Sequence, residues 1–184
     1  FILDQLGNKD RAIRFAARVA LERIPTADWF GDELDDSSLR RVELLIAAAR
    51  VGDADDRQQV IDHVTERLRD DPDRLEQIGL LRAAMIAMSR AETVRTDALG
   101  EAVNTNFPAW DPDVDQLQGT LLVAMDHPDV VPKTLDLIDD TSSHSQQLHY
   151  ALPIRLATHW SEDDRARFME WATGARQFEG GLSV

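Results

Sequence analysis

An all-α architecture, a superhelix of antiparallel helix pairs, is predicted for this chain by three observations. Apolar residues recur at three- and four-residue steps in segment after segment, the spacing that gathers them on one helix face. Acidic or seryl caps and prolines punctuate the segments at short intervals, so consecutive helices are antiparallel neighbours and pairs of them return about every 35 to 45 residues. Almost nothing alternates with period two, which leaves no convincing strand. A four-helix bundle would need fewer and longer helices, so stacked hairpins account for the rhythm better.

Phe1 to Leu6 reads as the end of a helix stopped by Gly7-Asn8, both tolerant of the left-handed conformation used there. From Asp10 to Ile24 an apolar face of Ile13, Ala16, Ala17, Ala20, Leu21 and Ile24 opposes Arg11, Arg14, Arg18 and Glu22. Its alanines invite close approach of a second helix, and the charged side is expected to be solvated. Thr26 to Asp36 forms a connection whose Trp29 and Phe30 should plug a gap between helices. Ser37 or Ser38 caps a helix carrying Leu39, Val42, Leu45, Ile46 and Ala49, closed by Gly52 as a C-terminal glycine. Asp53 to Asp56 opens its partner, with Val60, Ile61, Val64 and Leu68 inward.

Asp71-Pro72-Asp73 reads as a cap, a proline at the first helical position and an acid at the positive dipole end, ahead of Leu75, Ile78, Leu81, Met85 and Met88. A further helix starts near Thr93, with Val94, Ala98, Ala102 and Val103, and runs out by Pro108. Asp111-Pro112-Asp113 repeats the start signal before Val114, Leu117, Leu121, Leu122 and Met125. Pro128 and Pro132 bracket a turn preceding Leu135 and Ile138. Ser145 to Trp160 and Ser161 to Phe178 complete the set, the latter opened by a Ser161-x-x-Asp164 capping box.

Length fits one domain spanning residues 1 to 184, or one array of repeats. Apolar runs such as Leu44 to Ala49 are far short of the roughly 20 residues a membrane helix needs, so no membrane insertion is expected. The start Phe1-Ile2-Leu3-Asp4 has neither an initiator methionine nor a signal-peptide pattern, and the chain is expected to be a fragment of a longer one. A net charge of −14 argues against nucleic-acid phosphates and anionic membranes as partners. With no cysteine, the segment cannot form disulfides, thiolate zinc sites, iron–sulfur ligation or c-type haem attachment.

No residue pattern calls for a metal, a cofactor or catalysis. His144, His149 and His159 are spaced five and ten apart, which does not put two on one helix face at four-residue separation. Asp111-x-Asp113-x-Asp115 starts like a calcium loop, but Gln116 and Leu122 stand where glycine and glutamate are required, and capping explains the acids. G-x-S-x-G, a phosphate-cradling glycine loop and G-x-G-x-x-G are all missing from the sequence. Arg11, Arg14 and Arg18 could bind an anion, although a solvated helix face with pairs one turn apart suffices to explain them.

The run Asp10-Arg11-x-Ile13-Arg14-Phe15-Ala16-Ala17-Arg18-x-Ala20-Leu21 resembles the second-helix signature of HEAT repeats, in particular the short HEAT-like class of phycobilisome lyases. Gln147-Leu148-His149-Tyr150-Ala151-Leu152-x-x-Arg155, Trp160, Phe168-x-x-Trp171 and Gly180-Gly181-x-Ser183 resemble the segment before the c-type cytochrome domain in large multidomain proteins of Planctomycetes and related bacteria. Those proteins combine a sugar-dehydrogenase-like propeller, a helical repeat region and a haem domain. The resemblance implies a HEAT-like α-solenoid, a non-catalytic scaffold for neighbouring domains, and an exported, periplasmic setting. Pro153 departs from the pattern: it stands inside an expected helix and should kink it near His149 and Tyr150. His149, Tyr150, Arg155, Trp160 and Trp171 are the candidate domain-docking surface. Alternatively the aromatics are terminal core and Arg155 pairs with an acid. The other functional reading is a free-standing adaptor that grips a protein partner on the concave side of the stack.

Overall fold

Short acidic and hydroxyl side chains mark where helices begin, because their oxygens accept from amides that have no partner within a first turn. The computed structural model describes residues 1–31, 37–91 and 93–176. It contains α1 (Ile2–Gln5), α2 (Arg11–Leu21), a 3-10 turn at Thr26–Asp28, α3 (Ser38–Val51), α4 (Ala54–Arg69) and α5 (Arg74–Arg90). These are followed by α6 (Asp97–Thr105), α7 (Pro112–Ala124), α8 (Val130–Asp140), α9 (His144–Ile154) and α10 (Glu162–Ala175). Asp10, Asp53, Asp73, Asp111, Ser143 and Ser161 each accept from first-turn amides, and Asp53/Asp56 and Ser161/Asp164 close reciprocal capping boxes. Among the described residues there is no strand, and the chain is all-α.

The chain divides into two compact units, Phe1–Val103 and Asn104–Val184. In the first, α3 lies against α5, and α4 packs on both. Small side chains make that approach close: Ala47, Ala48 and Ala49 of α3 and Ala83, Ala84 and Ala87 of α5 are fully buried. Gly79 sets the limit, since a Cβ there would stand 2.4 Å from Val42 Cγ1 and 2.8 Å from Cγ2. Gly79→Ala is therefore expected to destabilise this unit by about 1–2 kcal/mol despite alanine's better helix propensity. Chemical denaturation of Gly79→Ala, with and without Val42→Ala, checks this: the second change should restore much of the loss, and additive effects would refute the clash.

A second cluster joins Leu6, Ala17, Leu21, Leu44 and Ala47, with Trp29 packed at its edge and donating from Nε1 to Ile24 O at 3.0 Å. Trp29 thus plugs a gap as expected, while Phe30 meets His63 edge-on at 6.3 Å between centroids. In the second unit α7 packs on α9, α8 on both α9 and α10, and the core gathers Leu121, Leu122, Val131, Ile138 and Ile154.

Several expectations are corrected. On α2, only Ala17 and Leu21 are buried; Ile13 is 42% exposed and Ala16 is exposed, whereas Arg14, Arg18 and Glu22 are largely covered. The helix is turned so that Arg18 Nη1 meets Glu43 Oε2 of α3 at 2.9 Å and Glu22 meets Arg50 at 2.8 Å. Long arginine stems bury well when a partner carboxylate waits at their end. Gly52 closes α3 at φ −64°, so it uses no left-handed freedom; a Cβ there would instead come within 2.6 Å of Ala48 O and Asp56 Cβ. At Asp71-Pro72-Asp73 the cap is Asp73, Pro72 precedes the helix, and Asp71 itself takes φ 51°. Leu75 is 69% exposed rather than inward.

The helix expected near Thr93 begins at Asp97, and Ala98 on it is exposed. Pro132 lies within the first turn of α8, where a missing N–H costs nothing, instead of bounding a turn. The helix expected to reach Trp160 stops at Ile154, with Pro153 in its last turn and Leu156 and Ala157 donating back to the Pro153 and Ile154 carbonyls. Phe178, Gly180, Gly181 and Ser183, like Asp36, lie outside the described residues.

Candidate functional site

Helix α9 and the segment after it carry most of the predicted docking residues, and the structure separates them into three environments. Tyr150 faces inward and is 6% exposed, so it belongs to the core of its unit and not to a docking surface. His149 and Arg155 are exposed, and no acid among the described residues lies within ion-pair distance of Arg155. Trp160 and Trp171 are half-buried and connected by Phe168, which meets the first edge-on at 5.3 Å and the second at 5.5 Å. Their indole N–H groups donate to Ala157 O at 3.0 Å and Gln147 Oε1 at 3.1 Å. The row runs from the segment after α9 along α10, with Trp171 bonded to Gln147 of α9, and it supplies apolar contact to a helix that has no fully buried residue.

The exposed part of this edge is apolar. Leu148 and Leu152 stand one turn apart on α9 and are 42% and 52% exposed; Leu156, just past the helix, is 71% exposed. His149 and Arg155 flank them. Nearby, Asp126, in a left-handed turn at φ 53°, accepts from Thr158 Oγ1 at 2.7 Å and faces His159 Nε2 at 3.4 Å. The Thr158 hydrogen bond, then the neighbouring His159, hold the Asp126 carboxyl below its usual range. Those contacts pin the connection that follows the turn at Leu156.

Beneath α9 lies a cavity of about 10 Å³, the size of one water molecule, lined by Asp115, Thr134, His149 and Tyr150 among others. Asp115 is 1% exposed. Its Oδ1 accepts from the Ala109 amide at 2.6 Å, which clasps the loop leading into α7, where exposed Trp110 takes φ 60°. Asp115 Oδ2 and Thr134 Oγ1 are buried without hydrogen-bond partners among the described residues. Burial pushes the Asp115 carboxyl up to about 6, with Asp111 adding to the rise and the loop amides opposing it. Burial, then the negative charge of Asp115, pushes the Tyr150 phenol up to about 12.

Sequence reading placed Asp115 among capping acids and passed over Leu156. The available signal for the leucines is their four-residue spacing, 148, 152, 156, which is the same signal that elsewhere marks a core face. The chain matches no protein-family model, no curated protein and no solved structure.

Proposed function

We propose that this chain is a HEAT-like helical-repeat scaffold, not itself an enzyme, that docks a neighbouring domain of its parent polypeptide on the outer edge of α9. The observation that carries this reading is the row Leu148, Leu152 and Leu156, an apolar stripe left to solvent with cationic Arg155 beside it. Support for a repeat architecture comes from helices that pack on their next-but-one neighbour: α3 on α5 in the first unit, α7 on α9 and α8 on α10 in the second. Stacked hairpins produce that pattern, because each pair lays its two helices in two layers. The resemblance of the last forty or so positions suggests a c-type cytochrome domain as the docked neighbour.

Hydrogen exchange tests the docking. In the parent polypeptide, amides from Leu148 to Leu156 should exchange about tenfold or more slowly than in the separate chain. Leu152→Asp should abolish that protection while leaving the melting temperature of the separate chain unchanged, because the side chain is already half exposed. Equal exchange in both settings would refute the reading.

A further inference from the structure

The first unit carries a cleft of about 440 Å³ walled by α2, α3 and α5. Its floor is apolar, formed by Val42 and Ile46 of α3 and Ile78 and Gly79 of α5. The depth of that floor is set by the close α3–α5 contact at Gly79. Phe15 and Leu75 stand at the edges, 56% and 69% exposed, so apolar surface continues from the floor up to the rim.

The rim is cationic in a chain that is strongly acidic overall. Arg11, Arg14 and Arg18 run along the α2 wall and Arg82 stands on α5, against one lining acid, Glu43. Glu43 accepts from Arg18 at 2.9 Å and faces Arg14 at 3.6 Å, and Glu22 takes Arg18 and Arg50. That network sets three arginines on two glutamates and so keeps a positive excess. Arg11 and Arg82 are exposed and add theirs.

We infer that this cleft binds an acidic amphipathic helix of a partner protein. Apolar side chains of that helix would occupy the Val42–Ile78 floor between Phe15 and Leu75, and its carboxylates would meet the arginines. The spacing argues for a polypeptide: Arg11 to Arg18 spans two turns of α2, about 10 Å, which suits carboxylates repeated along a helix. A fatty acid would bring one carboxylate and leave the other cations unanswered. Nucleic acid is disfavoured by the apolar floor and the surrounding negative charge.

Selection of a displayed random library of helices of about 16 residues on the immobilised full chain tests this. Enriched peptides are expected to combine Asp or Glu with Leu, Ile or Phe at three- and four-residue steps. Their affinity should fall about tenfold or more in the Arg11→Glu/Arg82→Glu variant. Arg165→Glu, in the other unit, should leave it unchanged. Both altered arginines are exposed, and an unchanged melting temperature confirms that the variant is folded. Failure to enrich any peptide, enrichment of peptides without acids, or affinities indifferent to the double reversal would overturn the assignment. Displacement of the peptides by oleate at stoichiometric concentration, or a self-associated chain that the double variant dissolves, would assign the cleft to a lipid or to a second copy and overturn it too.

Discussion

Replacing Glu76 by alanine is expected to cost the first unit about 3 kcal/mol of unfolding free energy. Glu76 sits in the first turn of α5, is 4% exposed, and takes two arginines from two other helices. Arg41 of α3 donates through Nη1 to Oε1, and Arg67 of α4 donates from Nε to Oε1 at 2.9 Å and from Nη2 to Oε2 at 3.1 Å. One carboxylate therefore ties three helices, and its loss would leave the largely covered Arg41 guanidinium unanswered and Arg67 with only the exposed Asp70 at 3.4 Å, which is the expensive way to break such a group. Burial by itself would raise the acid's pKa; the hydrogen bonds from Arg67 and Arg41, with their charges, outweigh it and hold the carboxyl below the ordinary glutamate range. The sign of the pH dependence follows. A carboxyl that is more acidic folded than unfolded contributes stability above its unfolded pKa of about 4.3 and loses it as pH falls through the lower folded value. Urea titration of a chain keeping Trp29 as the fluorescent reporter of this unit should show the deficit of Glu76→Ala at pH 7 and its narrowing below about pH 4. A change under about 0.5 kcal/mol at pH 7 would place the group among ordinary surface pairs.

The difference between what could be read from the sequence and what could not has a physical basis. Caps were legible at Asp53, Asp111 and Ser161, because capping is a contract between residues two or three apart and needs no knowledge of the rest of the chain. The apolar face of α4 was legible for a related reason: Val60, Ile61, Val64 and Leu68 repeat within one helix, and all four are buried. The orientation of α2 was not, since its rotation is decided by Glu43, twenty-five positions from Arg18. Glu76 and Asp115 look like the other acids of a chain with 34 of them, and their burial depends on Arg41 and Arg67 in the first case and on the Ala109 loop in the second. Asp71-Pro72-Asp73 and Asp111-Pro112-Asp113 are identical in pattern, yet the helix starts after the second aspartate in one and the first in the other. The left-handed Asp71 makes the difference, and the sequence gives no sign of it. For the docking residues, spacing placed His149 and Tyr150 side by side; successive helix positions point about 100° apart, which sends one to solvent and the other to the core.

Asp115 should behave in the opposite sense to Glu76. Its folded carboxyl is raised to about 6, mainly by burial, while the unfolded value is near 3.9. The folded state therefore holds a proton that the unfolded state has given up, and stability declines as pH rises from about 4 to 6. By pH 7 the buried charge costs on the order of 3 kcal/mol. Asp115→Asn keeps an oxygen for the Ala109 amide and places a donor where Oδ2 now lies, in the cavity shared with Thr134 Oγ1. The variant should consequently be more stable than the parent at pH 7, and the advantage should shrink steadily as the pH is lowered toward 4. Denaturation followed by Trp160 and Trp171 reads this unit, and comparison across pH 4 to 7 separates the effect from any general change in packing. A variant that is equally or less stable at pH 7, or whose advantage is independent of pH, would mean that the Asp115 charge is compensated in the folded state. The loop amides that oppose the rise would then be what holds an ionised acid in this core.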